Sequence, residues 1–168
     1  MSSFESIYHI TNDGIMDMLG VYGIKTEMDL RGQSQLSSDA LGARVEHTYY
    51  NMVMYDSIFT DEGKEKMRRV FADLADPENY PVYMHCTYGC DRTGTVCYIL
   101  EAMLGVSRGD CMKEYGLSNL YVANILTVEN GLKEYHGNTL KEQAEAYLLS
   151  CGVSQFQIQS IRDIFLGE

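Results

Sequence analysis

Two prolines and fifteen glycines in 168 residues exclude a collagenous or proline-rich chain. No uninterrupted apolar run approaches the roughly 20 residues that a membrane-spanning helix requires, so no membrane anchor is expected. Basic residues are the scarcer charge: 13 Lys and Arg stand against 24 Asp and Glu, for a net charge of −11. A chain with that balance repels nucleic acid and anionic membrane surfaces, and neither is expected as a partner. Any anionic ligand must be held by a local site instead of by the field of the whole molecule. Residues 1–14 lack the basic and apolar regions of a secretory signal, so the expected location is the cytoplasm. A domain cut from a longer secreted protein would begin the same way. The five cysteines (Cys86, Cys90, Cys97, Cys111 and Cys151) are odd in number and scattered through apolar segments, which reads as free thiols and not as a disulfide scaffold.

What is present fits one ordinary globular domain over residues 1–168, with 45% hydrophobic and 22% charged residues and no internal repeat or linker. Thr11 or Asn12 caps a short helix with Ile15, Met18, Leu19 and Tyr22 at helical spacing, and Gly23 stands where its C-terminal cap would. Residues 24–30 read as a strand ending in the polar turn Arg31-Gly-Gln-Ser34, and residues 44–54 as a second strand. Thr60 caps a helix whose acidic first turn and later Lys64, Lys66, Arg68 and Arg69 follow the order the helix dipole favours. Met67, Val70, Phe71 and Leu74 give that helix one apolar face, and Asp76-Pro77 ends it. Residues 80–86 then read as a buried strand, a helix begins at Arg92 and runs to Gly105, and helical stretches follow over 117–129, 139–149 and 155–165. The expected fold class is α/β, a mostly parallel sheet covered by helices, with a helical C-terminal half.

The chemistry concentrates in Val82-Tyr-Met-His-Cys-Thr-Tyr-Gly-Cys-Asp-Arg-Thr-Gly94, where Cys86 and Arg92 are separated by five residues at a strand-loop-helix junction. A loop of that length can curl so that its backbone N–H groups point at one phosphate, with the partial positive charge of the helix N-terminus behind it. Arg92 in the first helical turn can grip two phosphate oxygens with its planar fork, and the same positive environment favours the thiolate of Cys86 at the bottom of the cradle. Thr93 can donate to that sulfur, while Gly89 and Gly94 permit the tight backbone path and close helix packing. The candidate phosphate-binding residues are therefore Thr87, Tyr88, Gly89, Cys90, Asp91, Arg92 and Thr93.

These residues resemble the cysteine-dependent protein tyrosine phosphatases, whose signature His-Cys-x5-Arg-Ser/Thr is matched by His85-Cys86 and Arg92-Thr93. The Gly-x-Asp-Arg-Thr-Gly form resembles the bacterial branch, as do Tyr22-Gly-Ile-Lys-Thr-Glu-Met-Asp-Leu-Arg31, Leu104-Gly-Val-Ser107, Glu114-Tyr-Gly-Leu-Ser-Asn119 and Gly152-Val-Ser154. The likeness runs from about Thr11 to Leu166, and the strands that the family places before residue 24 are missing or shortened. The resemblance implies a phosphatase domain, of tyrosine or dual specificity, that acts on phosphotyrosine in proteins or on small phosphomonoesters and needs no metal or cofactor. In it Cys86 attacks phosphorus to form a phosphocysteine, and Arg92 with the loop amides holds the equatorial oxygens. A general acid is also implied, and there are two candidates. Asp91 matches the loop aspartate of the bacterial branch, and Asp56 lies 30 residues before the cysteine, about where the family's mobile acid loop falls. Asp91 is favoured, since Asp56 lacks the Trp-Pro-Asp context.

Each residue has a plainer reading. Asp91 could simply cap its helix and Asp56 could be a solvated loop residue. His85 reads as a hydrogen-bonding support of the loop, Asp29 and Arg31 as braces with Arg31 near enough to reach a substrate, and Lys64 to Arg69 as a solvated face. Zinc at His85, Cys86, Cys90 and Cys97 lacks finger-like spacing. Alternatives of other classes are a phosphoinositide phosphatase, a phosphate-binding module without turnover, and a sulfurtransferase or arsenate reductase. Arginine at the sixth position after the cysteine favours ester hydrolysis, and Cys90, standing where the bacterial pattern carries a cation, disfavours polyphosphorylated inositol lipids.

Overall fold

The computed structural model describes residues 10–32, 41–118 and 124–167. Helix α1 (Asn12–Gly20) is capped by Thr11, whose hydroxyl accepts from the Gly14 amide at 3.1 Å. Its C-terminal cap is Val21, not Gly23, which takes a positive φ of 62° two residues further on. Three parallel strands follow, β1 (Thr26–Asp29), β2 (Glu46–Tyr49) and β3 (Val82–His85), in the order β2-β1-β3. Asp29 of the central strand is opposite Tyr49 on one side and His85 on the other. The observed strands are shorter than the sequence pattern suggests. Tyr50 and Met52 still donate to the carbonyls of Asp29 and Leu30, but positive φ values at Asn51 and Tyr55 turn the chain out of the sheet. The tail of the expected polar turn, residues 33 and 34, lies outside the described residues.

Side chains alternate across a strand, so β1 sends Met28 to one face and Glu27 and Asp29 to the other. Met28 and Leu30 join a buried core with Met67, Val70, Phe71 and Leu74 of α2 (Asp61–Leu74) and Val96, Ile99 and Met103 of α3 (Asp91–Leu104). Thr60 caps α2 through the Gly63 amide, and Gly105 closes α3 in the left-handed conformation.

The helical C-terminal half departs from the sequence reading at one place. The stretch expected over 117–129 is two helices, α4 (Arg108–Ser118) and α5 (Ile125–Leu132), and residues 119–123 lie outside the described residues. The start of α4 has a sequence signal in Ser107-x-x-Asp110: the Asp110 amide donates to Ser107 Oγ, a side-chain cap, and that hydroxyl donates in turn to the Asp110 carboxylate. Reciprocal capping boxes begin α6 (Leu140–Ser150), through Thr139 and Glu142, and α7 (Gln155–Leu166), through Ser154 and Gln157. The molecule is thus α/β, with three parallel strands and seven helices among the described residues. None of those helices is long and apolar enough to cross a membrane.

The start of α2 is pressed against a 3-10 turn at Tyr55–Phe59 that will matter for the site. A Cβ on Gly63 would lie 2.2 Å from the Ser57 carbonyl oxygen and 2.6 Å from Ile58 Cα. Both are backbone atoms, so Gly63→Ala must push the turn away. The substitution is expected to destabilise the fold by about 1–3 kcal/mol in urea denaturation, against the small gain that alanine normally brings inside a helix.

Candidate active site

The site forms where β3 hands over to α3. Cys86, buried directly after the strand, begins the loop, and Gly89 turns it with a φ of 72°. Tyr88 stands out into solvent at the loop's apex, 63% exposed. Cys90 is the cap residue of α3 but makes no cap bond with its side chain, its thiol pointing back to the Tyr88 carbonyl at 3.3 Å. The first-turn amides of α3 therefore have no side-chain cap from that position, the arrangement in which a helix N-terminus receives an anion. Burial first, then the charges of Asp91 and Cys86, push the Cys90 thiol up. All five cysteines are free.

Arg92 closes the loop from its far end. Its Nη2 donates to Thr87 Oγ1 at 3.1 Å, so the guanidinium lies across the loop toward the residue next to Cys86. Gly94 lets α4 approach, since a Cβ there would come within 2.8 Å of the Tyr115 ring. Thr93 departs from expectation. Its hydroxyl is buried with no hydrogen-bond partner among the described residues, so no bond to the Cys86 sulfur forms. Instead it lines a cavity of about 750 Å³ together with Tyr83, Cys97 and Leu100.

Beneath the loop lies a buried polar layer. His85 Nε2 is 2.8 Å from Glu27 Oε1, and its Nδ1 is 3.2 Å from the Cys86 carbonyl oxygen, so the ring ties the central strand to the residue carrying the thiol. The other Glu27 oxygen accepts from the Leu41 amide at 2.9 Å. Asp29 receives the Arg31 guanidinium through Nε and Nη2, at 2.6–2.9 Å, and the Arg31 amide at 2.9 Å. Burial pushes the Asp29 carboxyl up, but the Arg31 bonds and the nearby His85 outweigh it and hold it below its ordinary value of 3.8. Arg31 is wholly buried, which makes it a brace and not a hand reaching for substrate. Donor atoms of Glu27, Asp29 and His85 come within 4.8 Å of one another, as metal ligands would, yet their bonds to one another, to Leu41 and to Arg31 already account for the cluster as bracing.

The two candidate acids are placed differently. Asp91 is the first residue of α3 and accepts a short hydrogen bond from the Tyr55 hydroxyl. Asp56, the next residue after Tyr55, is exposed on the 3-10 turn. Sequence reasoning missed Tyr55, and no motif marks it. The Lys64 to Arg69 stretch is a surface face, with Lys66 on Glu62, Arg68 on Glu65 and Arg69 on the Tyr49 carbonyl.

A family model described as "Tyrosine phosphatase family" matches residues 5–157. A tyrosine-protein phosphatase of Nostoc commune is 25% identical over 208 aligned positions, covering 93% of this chain and 70% of the relative. A tyrosine-protein phosphatase-like protein of Saccharomyces cerevisiae, OCA2, is 38% identical over 71 residues, 41% of this chain and 35% of its own length.

The buried layer yields a stability test. Arg31→Met takes from buried Asp29 its bidentate charged partner and is expected to cost about 3–5 kcal/mol. Because the native Asp29 carboxyl ionises below its ordinary value, its contribution is fully present above that value and is lost as the pH falls through the lower native one. Urea denaturation between pH 7 and pH 2 should show this acid-labile component in the wild type and not in Asp29→Asn.

Proposed function

The chain belongs to the tyrosine phosphatase family, and from that premise we propose that it hydrolyses phosphotyrosine, in proteins or as a small phosphomonoester, through a phosphocysteine intermediate. The observation that carries the reading is the buried Cys86 at the base of a loop whose far end, Arg92, reaches back to Thr87. A Cys86 thiolate lone pair forms the S–P bond as the P–O bond to the phenol breaks, while Arg92 and the amides of residues 87–92 take up the charge on the equatorial oxygens. Asp91 gives its proton to the departing phenolate, which otherwise leaves poorly with a pKa of about 10. A water then attacks phosphorus, its proton passes to the Asp91 carboxylate, and the S–P bond breaks to return the thiolate and free phosphate.

Asp91 is preferred to Asp56 because it is part of the loop itself, next to the guanidinium, and is held by a hydrogen bond. Asp56 lies exposed on a neighbouring turn. Preference for phosphotyrosine over polyphosphorylated lipids is supported by Cys90, which brings no cation to the loop for a second phosphate, and by the net charge of −11 around it.

Turnover of p-nitrophenyl phosphate in the presence of a chelator tests the mechanism. Cys86→Ser should abolish it while still binding phosphate, and Arg92→Lys should be severely impaired, since a point charge cannot replace the bidentate fork. Asp91→Asn should lose about 10²-fold in kcat on phenyl phosphate, and much less on esters whose leaving group needs no proton. Should Asp56→Asn show that dependence and Asp91→Asn not, the acid is Asp56. Turnover by Cys86→Ser at the wild-type rate would overturn the phosphocysteine route.

A further inference from the structure

The hydroxyl of Tyr55 stands at the centre of a small hydrogen-bonded cluster that joins four parts of the chain. Tyr115 Oη on α4 donates to it at 3.4 Å, and Asn124 Nδ2, just before α5, donates at 3.3 Å. With two donors on its oxygen, the single phenolic proton of Tyr55 is directed to the remaining neighbour, Asp91 Oδ1. The backbone is tied to the same turn of α3: the Tyr55 amide donates to Thr95 Oγ1 at 3.4 Å, and that hydroxyl donates to the Asp91 carbonyl at 2.7 Å.

Tyr55 also carries a conformational cost. Its φ is 55°, a left-handed backbone that an aromatic residue adopts only where its surroundings impose it, at about 1–3 kcal/mol. Glycine or asparagine would remove most of that cost, but neither would bring a phenol to Asp91. Burial, and then the bond to Asp91, push the Tyr55 phenol above its ordinary value, so it remains a donor at neutral pH.

We propose that Tyr55 is the positioning residue for the acid of this reaction, fixing Asp91 through Oδ1 so that Oδ2 carries the proton to the leaving oxygen. The inference rests on the reading of Asp91 as that acid. In the transfer, the Oδ2–H bond breaks, the leaving oxygen gains the proton, and Asp91 becomes a carboxylate whose new charge the Tyr55 O–H already faces. The bond therefore strengthens as the phenolate departs, which speeds the step. Around the pair stand Tyr115 and Asn124 on the Tyr55 side, Cys90, which feels the charge of Asp91, before Asp91 in the loop and Arg92 after it, with exposed Asp56 next to Tyr55 in the chain.

The test is Tyr55→Phe, alone and combined with Asp91→Asn, on phenyl phosphates of graded leaving-group acidity across pH 4.5–9. The ring is kept and only the hydroxyl is lost, and thermal unfolding of each variant verifies the fold. Tyr55→Phe should lower kcat on phenyl phosphate by about 10-fold, as loss of a hydrogen bond to a charged group does. KM should stay within about twofold of wild type, as an interaction exerted only in the transition state requires. The basic limb of the kcat profile should move to higher pH, because the carboxylate has lost its donor, and the substitution should add nothing in the Asp91→Asn background. Wild-type kcat and an unmoved limb in Tyr55→Phe, with leaving-group dependence intact in Asp91→Asn, would overturn the role of Tyr55 and leave the acid assignment standing. A loss that persists in full on the Asp91→Asn background would also overturn it, since Tyr55 would then act on the loop and not through Asp91. Absence of leaving-group dependence in Asp91→Asn defeats the acid assignment itself, and the role given to Tyr55 with it.

Discussion

The Asp29–Arg31 pair and the Glu27–His85 pair, both buried in or beside the central strand, are the constraint on which the rest of the site depends. Placing charged groups inside a sheet is costly, and partners with good geometry only offset that cost. What the layer confers is position. His85 joins the central strand to the carbonyl of Cys86, and Asp29 fixes the side chain that leads the chain out of β1. The thiol is therefore set by the sheet and not by the loop alone.

From that base the loop needs only to turn once. Gly89 supplies the positive φ, and the Cys90 thiol bonds to a carbonyl instead of capping α3. Arg92 spans the loop to Thr87. In a chain of net charge −11 these local features carry the whole task of attracting an anion, because the long-range field opposes it. Salt, which screens the long-range repulsion more than the short contacts, should accordingly favour encounter here, where in a basic enzyme it would slow it.

The second support comes from the helical half. Tyr115 fits against Gly94, which brings α4 onto the first turn of α3, and Arg108 joins α4 to Glu129 of α5 with Nε at 2.9 Å from both carboxylate oxygens. Burial opposes the charge on Glu129, and Arg108 with Lys133 holds it ionised below its ordinary value. Segments far along the chain thus meet at Tyr55 and Asp91: α4 reaches the loop through the Tyr115 and Tyr55 hydroxyls, and the residue before α5 through the Asn124 amide and the Tyr55 hydroxyl.

Much of this was legible along the chain. The caps Thr11, Thr60, Thr139 and Ser154, the apolar face of α2, the turn at Gly89, the closing Gly105 and the Cys86 to Arg92 spacing are all local signals, because a cap, a helical period or a tight loop is decided within a few residues. The second strand was drawn too long because the β-branched and aromatic residues around Asn51 outweighed the turn that an asparagine can make, and the left-handed Tyr55 leaves no mark in the sequence. The single stretch expected over 117–129 became two helices although Ser107-x-x-Asp110 announced the first of them. Thr93, read as a donor to the sulfur, faces a cavity, since which side of a helix meets the loop depends on how that helix is set against the sheet. Tyr55, 36 residues before Asp91, and Tyr115, 60 residues beyond Tyr55, are brought to one oxygen only by packing. The sequence determines which groups can do chemistry by local spacing, whereas the partners that orient them are chosen by contacts between distant segments, and only the folded chain brings those segments together.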